Sequence, residues 1–211
     1  MNKNGFTLAE VLITLAIIGV VAALTIPSLV AQYQKRETVT KLKDFYSIMS
    51  QAFIRAKIDH GEWDTWRSNY CYSGTADRNT AAQCQLKWLE TYLFPYIKNV
   101  KIETKGIYVL VALSNGSGFS SYNDHFFFCL KYSDCQEKVE DFNTRTRFLF
   151  SFSHTKGFET YHCGWRGSRD EILNSINSCN HTCSKDVPKH SGLCARLIQL
   201  DSWTIAPDYP W

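Results

Sequence analysis

An uncharged stretch of 21 residues, at positions 11–31, constrains the fold of this chain more than any other feature. At about 1.5 Å per residue, a helix of this length spans roughly 30 Å, which is the hydrocarbon thickness of a bilayer. A secretory signal peptide has a shorter apolar core of about 7–15 residues, followed by a cleavage site of small residues. The stretch therefore predicts a membrane helix that is retained in the mature protein.

One carboxylate, Glu10, directly precedes this apolar stretch. A lone carboxylate beside a membrane span is costly unless it is paired or lies at the interface with water. Its position at the edge of the stretch allows either an interfacial location or a partner from another molecule.

Residues 5–10, with the sequence GFTLAE, are followed by an apolar helix that contains Gly19 and Pro27. This arrangement resembles the class III signal of type IV pilins and type II secretion pseudopilins. In that family a membrane prepilin peptidase cuts after the glycine and methylates the new N-terminal amine. The resemblance implies cleavage after Gly5, methylation of Phe6, and neutralisation of a neighbouring subunit's Phe6 amine by Glu10 during filament assembly.

Pro27 and Gly19 mark a stretch of this helix that can bend or unwind. Pro27 has no amide proton, so it should weaken the helix near Ala23. One interpretation is an ordinary kink, since proline is common in membrane helices. The other, which the resemblance implies, is local extension in an assembled filament.

Beyond residue 31 the chain becomes amphipathic. Apolar residues recur at steps of three and four, at Val39, Leu42, Tyr46, Met49, Phe53 and Ala56. This pattern predicts that the helix continues to about residue 60 with its apolar stripe against a globular domain. Gly61 is a natural stop signal.

Eight cysteines occur in the chain, and none lies in the first 70 residues. An even number confined to the globular part predicts a disulfide framework formed in an oxidising compartment. We expect Cys71 and Cys84 to close a loop, but eight thiols allow 105 pairings and the full connectivity stays open. The candidate disulfide residues are Cys71, Cys84, Cys129, Cys135, Cys163, Cys179, Cys183 and Cys194.

A zinc site is the alternative interpretation of three of these cysteines and a neighbouring histidine. Cys179 and Cys183 have a spacing that suits zinc, and His162 with Cys163 could supply further ligands. Paired cysteines in an exported domain are more often oxidised, so we predict disulfides and no metal.

The orientation of the chain follows from the cysteines and the resemblance. The positive-inside rule would favour Lys35 and Arg36 in the cytoplasm, whereas a disulfide framework requires residues 61–211 outside. We predict a leader at 1–5, a helix at 6–60 with its transmembrane segment at 11–31, and an extracytoplasmic globular domain at 61–211. The chain would cross the inner membrane once, with its N-terminus in the cytoplasm, before it enters a filament or reaches the cell surface.

The fold class predicted for the whole chain is α+β, with a long N-terminal helix packed on a small antiparallel sheet in a disulfide-stapled domain. Turn signals at Asn115-Gly116 and Lys156-Gly157 separate apolar runs. Helices are predicted at residues 86–97 and 168–178, and strands at 107–113, 119–122, 126–132, 147–153, 158–163 and 193–200.

Two further groups of residues could carry a binding function. Trp63, Trp66, Tyr70 and Tyr72 could contact a sugar or a protein, but we favour packing under the long helix. The arginine pairs at 145/147 and 166/169 could bind DNA, but such pairs are usually solvated surface. With a net charge of only +3, we predict no nucleic-acid partner.

The function predicted from these observations is structural. No nucleophile elbow, HExxH motif, P-loop or Rossmann fingerprint occurs, so we predict neither catalysis nor a cofactor. The resemblance implies a major or minor subunit of a type IV pilus or a type II secretion pseudopilus. It also implies as partners the prepilin peptidase, other pilin-like subunits, an inner-membrane assembly platform, a cytoplasmic ATPase and membrane lipid. The alternative is a single-pass, disulfide-rich protein that binds a ligand and does not polymerise.

Overall fold

A computed structural model describes residues 7–67, 71, 77–137, 142–163, 168–174, 181–186 and 188–211, without the side chains of 188–190. The chain forms two compact units. The first ends at Glu37, and the second is Thr38–Trp211.

Helix α1, Leu8–His60, contributes to both units and confirms the long N-terminal helix. It continues through Pro27. It ends where Gly61 adopts a φ of +83°, and the Gly61 amide donates to the Lys57 carbonyl at 3.0 Å. Glycine tolerates this left-handed conformation at the end of a helix, which is why the residue acts as the predicted stop.

The second unit contains an antiparallel sheet of six strands among the residues that are described. The strands are β1 (Asn99–Lys105), β2 (Tyr108–Leu113), β3 (Gly118–Tyr122), β4 (His125–Cys129), β5 (Arg147–Ser153) and β6 (Gly157–Thr160). They pair in sequence order, each with the next. The two predicted turns are confirmed, with φ values of +80° at Gly116 and +82° at Gly157.

The main core lies between one face of this sheet and the second half of α1. The buried residues of α1 are Thr38, Leu42, Phe45, Met49, Ala52, Phe53 and Ala56, which follow the predicted stripe. Strands β4 and β5 alternate, so that Phe126, Phe128, Phe148, Phe150 and Phe152 join this core. Tyr108, Leu110, Phe127 and Leu149 face the other side and form a smaller cluster.

Helix α2, Arg78–Tyr92, begins earlier than the predicted helix at 86–97. The Asp77 side chain caps it by accepting from the amides of Asn79 and Thr80, both at 3.1 Å. The helix ends at Tyr92, and a 3₁₀ turn, Phe94–Tyr96, follows around Pro95, because proline has no amide proton with which to continue the helix.

Two other predicted elements differ from the structure, and a third is confirmed as far as it is described. The strand predicted at 126–132 ends at Cys129, and Tyr132–Glu137 is helix α3. Helix α4 is Arg169–Asn174, and residues 175–178 of that prediction lie outside the described part. The strand predicted at 193–200 is wrong, because Cys194–Leu200 is helix α5.

Disulfides staple the second unit, as the predicted fold class requires. Within the described residues the pairs are Cys71–Cys84, Cys129–Cys135 and Cys183–Cys194. Cys163 is also disulfide-bonded, and Cys179 lies outside the described residues. The first pair links the segment before α2 to α2, the second links β4 to α3, and the third links residue 183 to α5.

Candidate processing and assembly site

The described part of the predicted processing site begins at Thr7, because Gly5 and Phe6 lie outside the described residues. Thr7 caps α1 in a reciprocal arrangement with Glu10. The Thr7 amide and hydroxyl both donate to Glu10 Oε2 at 2.8 Å, and the Glu10 amide donates to Thr7 Oγ1 at 3.3 Å. This is a capping box, in which two backbone amides at the helix start are satisfied by side chains.

The capping partner of Glu10 was missed in the sequence, although a signal for it is present. A threonine followed three residues later by a glutamate, before an apolar run, is typical of a capping box. Glu10 is therefore exposed but not unpartnered, because Thr7 satisfies one of its two carboxylate oxygens.

Every polar side chain between residues 7 and 31 forms at least one hydrogen bond within this segment. Besides the Thr7–Glu10 pair, the hydroxyl of Thr14 donates to the carbonyl of Val11 at 2.9 Å. Thr25 donates to Val21 and Ser28 donates to Thr25, also at 2.9 Å. An unsatisfied polar group costs several kcal/mol in hydrocarbon, so this arrangement suits a helix immersed in lipid.

The apolar side chains of this segment are uncovered on all sides of the helix. Leu12, Ile13, Leu15, Ile17 and Ile18 are each about 60% exposed. Helix α1 is long and apolar enough to cross a membrane, and none of the 18 residues in its most apolar part is buried within the chain. So much exposed apolar surface requires lipid or other helices to cover it, which supports membrane anchoring of the chain.

Gly19 and Pro27, which are predicted to let the helix bend, lie inside the continuous helix α1. A side chain added at Gly19 would meet nothing within 4 Å, so packing within the chain does not explain this glycine. Pro27 cannot donate to the carbonyl four residues earlier, yet the helix is maintained on both sides.

The aromatic residues after α1 pack into the second unit, which confirms the favoured interpretation for two of the four. Trp66 is buried, stacks on Tyr92 at a ring distance of 4.4 Å, and donates from its indole to the Gly61 carbonyl at 3.0 Å. Trp63 is half-buried and donates to the Phe53 carbonyl at 3.3 Å. Tyr70 and Tyr72 lie outside the described residues.

The zinc alternative is wrong for the cysteines that are described. The sulfur of Cys183 is bonded to Cys194, and Cys163 is disulfide-bonded as well. His162 contacts Glu159 instead, with Nε2 at 2.6 Å from the carboxylate. A thiol in a disulfide has no thiolate to offer a metal.

The arginine pairs do not form a free basic surface. Arg169 binds the carboxylates of both Asp201 and Asp208, with contacts of 2.6 Å to Asp208. These hydrogen bonds raise the pKa of Arg169 and lower the pKa of Asp208. Arg147 is buried and Arg145 lies over the Trp211 ring, while Arg166 lies outside the described residues.

Two family models match adjacent parts of the chain. The model of the prokaryotic N-terminal methylation motif matches residues 1–26. A family model described as "Family of unknown function (DUF6613)" matches residues 28–211. No curated protein and no solved structure shows significant similarity to the chain.

The methylation motif includes the whole of the predicted processing segment and the apolar stretch as far as residue 26. The N-terminal signal is therefore that of a type IV pilin-like or pseudopilin protein. Because the second model spans nearly all of the remaining sequence, the chain belongs to the family of unknown function DUF6613, with a pilin-type methylation signal at its N-terminus.

Proposed function

We propose that this chain is a structural subunit of a type IV pilus-like or type II secretion pseudopilus filament, cleaved after Gly5 and methylated on Phe6. The observation that carries the proposal is the methylation motif at residues 1–26. The uncovered apolar helix that follows supports it, because this surface is stable in lipid before assembly and against other helices after it. We propose no catalytic role and no cofactor.

The geometry of Glu10 supports a role in assembly. Both Thr7 donors bind the same oxygen, Oε2, and no partner of Oε1 lies among the described residues. The second oxygen can accept from the methylated Phe6 amine of a neighbouring subunit while the capping box stays in place. A charge-assisted bond of this kind supplies the partner that a carboxylate needs near lipid.

The proposal keeps the functional division into a leader at 1–5, a helix at 6–60 and a globular domain at 61–211. The disulfides support an extracytoplasmic location for the globular domain, and hence a cytoplasmic leader and an inner-membrane anchor. The partners are then the prepilin peptidase, other pilin-like subunits, an assembly platform in the membrane and a cytoplasmic ATPase. Gly19 and Pro27 would allow the helix to adapt during assembly.

Processing is tested by the N-terminus of the protein purified from its native host. The wild-type chain should begin at a methylated Phe6 by intact mass and fragmentation. The Gly5→Val variant should keep residues 1–5, because the peptidase requires the small residue at the cut. Normal processing of this variant would contradict the proposed site.

Assembly is tested with two substitutions at Glu10 that separate charge from capping. Glu10→Gln keeps a side-chain acceptor for the Thr7 donors but removes the charge, whereas Glu10→Leu removes both. Both variants should reach the membrane at wild-type levels and fail to enter sheared filaments. Filaments of Glu10→Gln at wild-type yield would refute charge pairing, and a processed wild-type chain that never polymerises would favour a membrane-anchored binding protein.

A further inference from the structure

A concave site of about 250 Å³ lies in the second unit, away from the N-terminal segment. Three parts of the chain form it: the second half of α1, the residues after the Phe94–Tyr96 turn, and the connection between β2 and β3. The residues that define its chemistry are Ile48, Arg55, Ile97, Lys98, Leu113 and Asn115.

The wall of the site is cationic. Arg55 and Lys98 are exposed, and neither forms an ion pair with any acidic side chain that the structure describes. No carboxylate lines the site. Asp59, one helical turn beyond Arg55, accepts a hydrogen bond at 2.7 Å from the Tyr96 hydroxyl. Among the described residues Asp59 forms no ion pair with Arg55 or Lys98, and it does not line the site.

The floor of the site is apolar. Ile97 and Leu113 are 9% and 7% exposed, and Ile48, which also lines the site, is 40% exposed. An apolar floor below two cations favours a ligand that has a hydrocarbon branch close to an anionic group.

The β2–β3 connection is rigid where it borders the site. Asn115 Oδ1 accepts from the amide of Ser117 at 3.1 Å and from its hydroxyl at 2.6 Å. The Leu113 amide donates to the Ser117 carbonyl at 2.9 Å. Because Asn115 uses its oxygen in this turn, its amide nitrogen remains as a donor for a ligand.

We propose that this site binds the C-terminal carboxylate of a peptide whose last residue is aliphatic. The α-carboxylate would contact Arg55, Lys98 and the Asn115 amide, while the side chain on the same carbon would lie on Ile97 and Leu113. A glutamate or aspartate side chain has no hydrocarbon branch beyond its carboxylate and would leave the floor uncovered. The volume is below the roughly 300–1,000 Å³ typical of small-molecule pockets, which favours one residue over a cofactor.

The test uses the full chain in phosphatidylcholine nanodiscs and N-acetyl-L-leucine as the probe, detected by saturation-transfer NMR against empty nanodiscs. We expect this probe to bind. N-acetyl-L-leucinamide, which lacks the carboxylate, should bind with about tenfold lower affinity. The Arg55→Gln/Lys98→Gln double variant should also lose about tenfold in affinity, because it removes both charged donors. Because both side chains are exposed, we expect this double variant to fold as the wild type does.

Lys87→Gln is the matched control, because Lys87 is an exposed cation on α2 that does not line the site. It should bind the probe as the wild type does. The proposal is overturned if the acid gives no signal, if the amide binds equally well, or if the double variant keeps its affinity. Equal binding of N-acetyl-L-glutamic acid α-amide, whose only carboxylate is on the side chain, would also overturn it.

Discussion

Replacing Phe53 with alanine should destabilise the second unit more than a substitution on the exposed side of the same helix. The Phe53 side chain is 0% exposed. It stacks on Phe152 at 4.5 Å and on Phe158 at 5.7 Å between ring centroids. Trp66, Trp88 and Phe126 complete the surrounding shell, at 6.0–6.3 Å.

The magnitude follows from the loss of a large buried ring. A Phe→Ala change in a packed core costs about 3–5 kcal/mol in the free energy of unfolding, from lost transfer energy and the cavity that remains. The surrounding rings come from α2, from strands β4, β5 and β6, and from the segment after α1, so they cannot close together without moving several elements. We therefore expect the upper half of this range. For a domain of this size, the full range corresponds to a decrease in Tm of about 6–20 °C.

Tryptophan emission is a suitable assay, because Trp66 and Trp88 are neighbours of Phe53. The full chain would be melted in detergent, with far-UV circular dichroism as a second probe. Ile54→Ala is the control, since Ile54 is the next residue along the helix and is 53% exposed. Its unfolding free energy should change by no more than about 0.5 kcal/mol.

A decrease in Tm for Phe53→Ala no larger than that for Ile54→Ala would refute the packing argument. It would mean that the ring cluster collapses around the cavity, or that α1 does not supply the centre of the core.

Two further predictions concern the C-terminal half. Arg169→Met should lower Tm at about pH 7, since it removes the partner of Asp201 and Asp208. Because Arg169 lowers the pKa of Asp208 from its ordinary 3.8, that stability is present above 3.8 and lost as the pH falls through the lower value. The Tm difference from wild type should therefore shrink as the pH falls below 3.8, and an unchanged difference would contradict the pairing. Peptide mapping without reductant should link Cys163 to Cys179, the only other cysteine of the sequence outside the three described pairs, and a free Cys163 thiol would be the contrary result.

The N-terminal half of the chain could be predicted from sequence because its signals are local. The length of the uncharged stretch, the apolar stripe and the stop at Gly61 each depend on neighbours a few residues away. Glu10 was identified in the same way. Its capping contact with Thr7 is equally local, and it was overlooked only because the glutamate was interpreted as a residue awaiting an external partner.

Several errors in the second unit arise where local patterns are ambiguous. Residues 193–200 contain a short apolar run that fits a strand or a buried helix equally well. In the structure Cys194, Ala195, Leu197 and Ile198 are buried, which is one face of a helix. Strand β1 was not predicted, because most of its residues are exposed and they form no apolar run. It is defined by its pairing with β2 at the edge of the sheet.

Sequence alone therefore determined the membrane-type helix, its pilin-like signal, the α+β class and the oxidised cysteines. Only the tertiary structure decided how the cysteines other than Cys71 and Cys84 pair, which aromatic rings fill the core, and that Arg55 and Lys98 lie together above an apolar floor. The physical reason is distance along the chain. Helix periodicity and capping act within a few residues, whereas the site joins residues 48–55, 96–98 and 113–115, which approach each other only when the sheet has formed against α1.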